Sequence, residues 1–188
     1  MARNYYLMRH AHSTDGPQMD PDRTITHKGK EQIKAIRKFL KDAGILKKID
    51  MVISSPFCRA LDTAEALVES DHYVNEASTL EPDGTPDEAW RIIRKYSDEQ
   101  KHILIVTHDP LIQPLLAAVC FQFSPEHNIF NHANIAHFDS DGTFHWFTTP
   151  KLAEKLREAD KPMFAGVQVA EAAEELTEAL TRGRQYEK

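Results

Sequence analysis

Short apolar runs of strand length, each followed by an amphipathic stretch of helix length, recur from the N-terminus to about residue 120. This alternation constrains the fold more than any other feature. Strands separated by helices pair most readily side by side and parallel, with the helices covering both faces of the sheet. Tyr5 to Met8 is the first run. Thr26 can cap a helix through about Leu40, on which Ile33, Ile36 and Leu40 recur at helical spacing, and Gly44 follows as a stop signal. Met51 to Ser54 reads as the second strand and "SSPFCRALDTAEALVES" supplies the next helix. In "TPDE", Thr85 is a cap, Pro86 occupies the first helical position and Glu88 lies three residues after the cap, which predicts a helix to about Tyr96. Ile103 to Val106 is the cleanest buried strand, after which Pro110 is expected to open a helix through Leu116 to Phe121. "NIAHFDSDGTFHWF" alternates around Asp141-Gly142, a hairpin signal. The fold expected is α/β: a three-layer sandwich with a mostly parallel central sheet, antiparallel edge strands and a C-terminal helical extension.

The body is expected to span residues 1–150 and the extension 151–188, because the composition turns highly charged beyond Pro150. Val169, Ala173, Leu176 and Leu180 form a short apolar stripe there, read as a terminal helix packed on its own domain in preference to a dimerising helix. The net charge of −6, from 29 acidic against 23 basic residues, argues against a nucleic-acid or anionic-membrane surface, since both need a broad positive field. Any phosphate site must then be local. Cys58 and Cys120 show no metal-ligand spacing and read as reduced thiols. No run approaches the roughly 20 apolar residues of a spanning helix, and none at the N-terminus has signal-peptide length, so a cytoplasmic location is expected.

In open α/β sheets the carboxyl ends of parallel strands form the functional crevice. The first strand delivers Arg9 and His10 there, the second delivers "SSPFCRA" with Arg59 on the first turn of the next helix, and the buried "ILIV" run delivers His108. If these ends converge, two guanidiniums and two imidazoles crowd one crevice. The repulsion and desolvation are readily offset only by a bound dianion, and a phosphoryl group fits that demand. Taken singly, each of the four is more often an ion-pair partner or a hydrogen-bonded structural histidine; four at strand ends, in order, point to catalysis.

These residues resemble the histidine phosphatase superfamily, whose mark is an Arg-His-Gly motif at the end of the first strand. "LMRHAHS" stands there, with Ala11 in place of Gly. "TITHKGKEQ", "SSPFCRALDTA" and "VTHDPLI" match further motifs in order, so the resemblance spans about residues 3 to 150. The short length, the absence of an inserted cap domain, "LEPDGT" and "DGTFHWFTTP" make it most similar to the SixA-type phosphohistidine phosphatases. The resemblance implies that His10 attacks phosphorus and is transiently phosphorylated, while Arg9, Arg59 and His108 hold the equatorial oxygens. It further implies, as substrate partner, a phosphohistidine-bearing protein such as a histidine phosphotransfer protein. Many members use a glutamate after the second helix to protonate the leaving group; Glu81 and Asp83 are the candidates in "STLEPDGTPDE", Asp83 being read as a solvated loop residue and Glu81 left open.

His12 is read either as lining the pocket mouth or as solvated. His27, His72, His102, His127, His132, His137 and His145 lack a ligand pattern, so surface or edge-strand roles are expected in preference to a metal site. No metal or organic cofactor is called for. Two other readings stand beside the phosphohistidine phosphatase: a phosphatase of small phosphate monoesters, and a module that binds phosphohistidine without turning it over.

Overall fold

The computed structural model describes residues 2–68, 72–96, 99–126 and 128–158. The strands are β1 (Asn4–Arg9), β2 (Met51–Ser54), β3 (Val74–Glu76), β4 (His102–Thr107), β5 (Ile135–Asp139) and β6 (Phe144–Thr148). The helices are α1 (His27–Asp42), α2 (Cys58–Leu67), α3 (Pro86–Tyr96), α4 (Ile112–Ala117) and α5 (Pro150–Glu158). All six strands form one sheet in the order β3-β2-β4-β1-β5-β6. The first four in that order run parallel, and β5 and β6 add an antiparallel pair beside β1.

Side chains alternate across a strand, so β1 feeds two separate cores. Tyr6 and Met8 pack with Ile33, Ile36, Leu40, Ala64, Leu67, Leu104 and Val106, under α1, α2 and α5. Tyr5 and Leu7 pack on the other face with Trp90, Ile93, Ile105, Ile112, Leu115 and Phe138, under α3 and α4. This is the three-layer sandwich expected. Both neighbours of β1 are distant in sequence, Asn4 lying opposite His102 on one side and Asp139 on the other.

Local signals explain most boundaries. The Thr26 hydroxyl accepts from the Gly29 amide and caps α1, which ends two residues before Gly44. The Thr85 hydroxyl donates to Glu88 Oε2 at 3.0 Å at the start of α3. In the β5–β6 hairpin Gly142 takes φ +86°, a region open to glycine without strain, while Asp139 Oδ1 accepts from the amides of Asp141 and Thr143.

One expectation is corrected, and one strand was not foreseen. Pro110 does not open α4: the Asp109–Pro110 peptide is cis and the chain turns through Leu111 before the helix begins, ending at Ala117 instead of Phe121. β3, three partly exposed residues paired with β2, has no apolar run to announce it. Leu152, Ala153 and Leu156 of α5 join the α1 core. The stripe Val169, Ala173, Leu176 and Leu180 lies outside the described residues, as does His127.

Candidate active site

The carboxyl ends of β1, β2 and β4 meet, and the four residues expected to converge do so. The His10 amide donates to the Thr107 carbonyl (3.0 Å) and the Ser55 amide to the Val106 carbonyl (3.0 Å), which fixes the three chain exits against one another. The Thr63 hydroxyl, one turn along α2, accepts from the Ala11 amide (3.0 Å) and donates to the Arg59 carbonyl (2.6 Å), tying the turn after β1 to the helix that carries Arg59.

His10 is 5% exposed, and its Nδ1 lies 2.7 Å from the Ala11 carbonyl. That oxygen can only accept, so Nδ1 carries the proton and Nε2 keeps its lone pair. Arg59 Nε donates to this Nε2 at 3.3 Å. Burial, with His108 and Arg59 close by, holds His10 well below the ordinary imidazole range. A neutral, oriented ring is the nucleophilic form.

Arg59 is fully buried for a physical reason: its other nitrogens donate to main-chain carbonyls of the loop between β1 and α1, Nη1 to Asp20 (2.9 Å) and Nη2 to Gln18 (2.7 Å). Its guanidinium also lies 5.0 Å from the Phe57 ring centre. Burial lowers its pKa to about 10, so it stays charged at neutral pH. Arg9 donates through Nη1 to the Phe130 carbonyl (2.7 Å) and lies 3.5 Å from Asp109 Oδ2, while its Nε is buried with no partner among the described residues.

The His108 ring centre is 5.0 Å from that of His10. His108 Nε2 meets the Ser55 hydroxyl at 2.8 Å, and its Nδ1 is likewise a buried atom without a partner among the described residues. Burial, then Arg59 and Arg9, push His108 down to about 3. Two unpaired buried nitrogens beside an oriented imidazole and a fixed guanidinium form a cluster that can take an oxyanion.

Three further residues belong here that the sequence reading did not single out. Ser55 orients His108; Asp109 pairs with Arg9; and His132, assigned to the surface or a sheet edge, instead has its ring centre 5.3 Å from His10. His132 sits on the loop before β5, where only the tertiary fold could reveal its neighbours. His12 does face the cluster: its ring lies 5.4 Å from His132, and its Nδ1 contacts the Thr26 hydroxyl at 2.9 Å. Glu81 is partly buried at the end of a 3-10 turn, whose Leu80 carbonyl accepts from the Thr107 hydroxyl (2.7 Å). Its backbone is thereby held near the end of β4, but among the described residues its carboxylate makes no hydrogen bond or ion pair with the cluster. Asp83 is exposed. His102, His137 and His145 lie on strands away from the site, in a run of rings with Tyr6.

Residues 5–81 match the model of the histidine phosphatase superfamily (branch 1), a segment that contains the His10 and Arg59 arms of the cluster just described. In that segment the chain is similar in sequence to the histidine phosphatase superfamily. Among solved structures of this superfamily, the protein histidine phosphatase SixA complexed with tungstate aligns with a TM-score of 0.69 at 25% identity, over 79% of this chain and 98% of that one. A phosphoglycerate mutase-like protein 1 of Arabidopsis thaliana is 33% identical over 89 residues, 42% of this chain and 32% of the relative. The mitochondrial serine/threonine-protein phosphatase Pgam5 of Drosophila willistoni is 30% identical over 168 residues, 71% of this chain and 57% of the relative. The chain thus spans about a third and just over half of these two relatives. No helix among the described residues is long and apolar enough to cross a membrane.

Proposed function

We propose that this protein is a phosphatase of the histidine phosphatase superfamily, that it works through a phosphohistidine on His10 and that its substrate is phosphohistidine on another protein. The observation that carries the first half is the His10 ring itself, with Nδ1–H given to the Ala11 carbonyl and Nε2 beside the Arg59 guanidinium. An entering phosphoryl oxygen takes over the Arg59 Nε–H, which frees the Nε2 lone pair to attack phosphorus. The P–Nε2 bond forms and the bond to the leaving nitrogen breaks with its electron pair. Arg9 Nε and His108 Nδ1, both unpartnered, are suited to donate to the equatorial oxygens as charge redistributes over them. Water then displaces phosphate from His10.

The second half rests on the leaving group. An alkoxide leaves poorly without an acid, whereas an imidazole is a far weaker base and leaves easily. Asp109 is paired with Arg9, and among the described residues the Glu81 carboxylate makes no hydrogen bond or ion pair with the cluster, an arrangement that favours the easier leaving group. The similarity to SixA, a protein histidine phosphatase, supports the same choice. The free thiols Cys58 and Cys120 suit a reducing compartment, and we assign the cytoplasm.

The deciding assay compares phosphate release from a phosphohistidine protein and from sugar phosphates, with His10→Ala as control. Faster release from the phosphohistidine protein, lost in His10→Ala, is expected. A preference for sugar phosphates would overturn the substrate assignment, and activity retained by His10→Ala would overturn the mechanism.

A further inference from the structure

Resting on the phosphohistidine reading of His10, we infer that His132 is the base that accepts the proton of the water that hydrolyses the phosphoenzyme. The argument begins with the loop. Ala133 takes φ +61°, strained for a residue with a Cβ, and its amide is shared between the carbonyls of Arg9 and His10 at 3.2 Å each. The Asn134 carbonyl in turn accepts from the Arg9 amide at 3.1 Å, and the Asn134 amide donates to the Asn131 carbonyl at 3.1 Å. The turn bearing His132 is therefore bolted to the two residues that carry the site's first guanidinium and its nucleophile. A strained turn fixed at this point positions the imidazole 5.3 Å, ring to ring, from His10. At that separation, with 60° between their planes, the two rings meet edge to face, so His132 is held directly against the nucleophile's ring.

The candidates for a base narrow quickly. Asp109 is held by Arg9 and by the Asn128 amide group, and His108 is engaged with Ser55. The Glu81 carboxylate makes no hydrogen bond or ion pair with the cluster among the described residues. The charged and titratable groups that act on His132 are Arg9, His12, Lys28 and Arg23, with His10 against its ring, and none is a carboxylate. Burial and these cations push His132 down to about 4, so at neutral pH its ring is unprotonated and able to accept. In the step assigned, the water oxygen bonds to phosphorus, the P–Nε2 bond breaks with its electrons returning to His10, and the proton of the water passes to a His132 ring nitrogen. His12, half-buried and with its ring centre 5.4 Å from that of His132, offers the proton a way toward solvent.

The test uses p-nitrophenyl phosphate, whose leaving group needs no acid, so that formation and breakdown of the phosphoenzyme are read separately. In His132→Asn, p-nitrophenol is expected to appear in a burst of about one equivalent per chain, followed by a steady state slowed about a hundredfold, the scale of a lost general base. The acid-labile phosphate that accumulates is expected on His10, and added imidazole to restore part of the steady rate. His132→Gln serves if the Asn variant does not fold. A steady rate unchanged in a variant, or a burst that slows in step with turnover, would overturn the role of His132 while leaving His10 as nucleophile. Turnover by the wild type with no trappable phosphohistidine would overturn the mechanism on which this inference rests, a different and distinguishable result.

Discussion

Arg59 has five N–H donors and no acceptor, and the fold uses that inventory twice. Two of its nitrogens hold the loop carbonyls of Gln18 and Asp20 and a third faces His10, so the side chain proposed to meet the phosphoryl group also fixes the loop. Lysine keeps the charge but not the fork. Arg59→Lys is therefore expected to lower turnover at least about a hundredfold, the usual loss for one oriented transition-state donor, and also to loosen the loop. Steady-state kinetics with protease digestion of the loop would check it, and a variant within a factor of a few of wild type would exclude Arg59 from the site. Glu81→Gln is expected to barely slow phosphohistidine dephosphorylation and to remove most of any activity on an alkyl phosphate. A two-order loss on phosphohistidine would make Glu81 the general acid. Arg9, His10, Arg59 and His108 were legible because each follows a strand-like run, so position in the chain predicts position in space. Ser55, Thr63, Asp109 and His132 were not, since their roles are hydrogen-bond and packing geometry between segments far apart in sequence.

At the scale of elements, the start of α1 governs the approach to the site. A Cβ added to Gly29 would stand 2.2 Å from the His12 carbonyl oxygen, a backbone atom that cannot swing aside. That carbonyl also accepts from the Thr26 amide (3.0 Å), so the clash falls on the turn carrying His12. Gly29→Ala is expected to destabilise the protein by about 1–3 kcal/mol, as overpacking does, although alanine is the better helix former. A chemical-denaturation midpoint equal to or above wild type would refute the close approach. The opposite exchange, Ala11 where the family has Gly, is tolerated here because Ala11 is not among the residues with positive φ. Strands β1, β2 and β4 and helices α1 and α3 were readable from apolar period and caps. The bounds of α4 and the existence of β3 were not: proline at a helix start and proline in a turn look alike in sequence, and an edge strand of three residues buries too little to leave a pattern.

For the whole molecule, the buried imidazoles set the dependence of stability on acid. His108 and His137 lie at about 3 and His132 at about 4, with burial the leading cause in each, against roughly 6.5 in an unfolded chain. Between those limits the unfolded state binds more protons, so stability rises with pH there and is level above it. The thermal midpoint is expected to hold from pH 8 to 7 and to decline steadily below about 6.5. His137→Phe, which removes one of these groups from outside the site, should make the decline shallower. A midpoint unchanged from pH 7 to pH 5 would show that the rings are protonated in the folded state.

The strand order carries a consequence for synthesis. Of the six strands β1 leaves the ribosome first, yet its two edges are covered only by β4, complete at Thr107, and β5, complete at Asp139. Until Thr107 has been made, the nascent Tyr5–Met8 segment has neither partner and is an unpaired apolar ribbon, a natural client for holding chaperones. Arg9 and His10 acquire the main-chain contacts that aim them only from Thr107, Ala133 and Asn134. A fragment released before those residues are made therefore lacks the contacts that assemble the cluster of Arg9, His10, Arg59 and His108, so under the function proposed here it is expected to be inert.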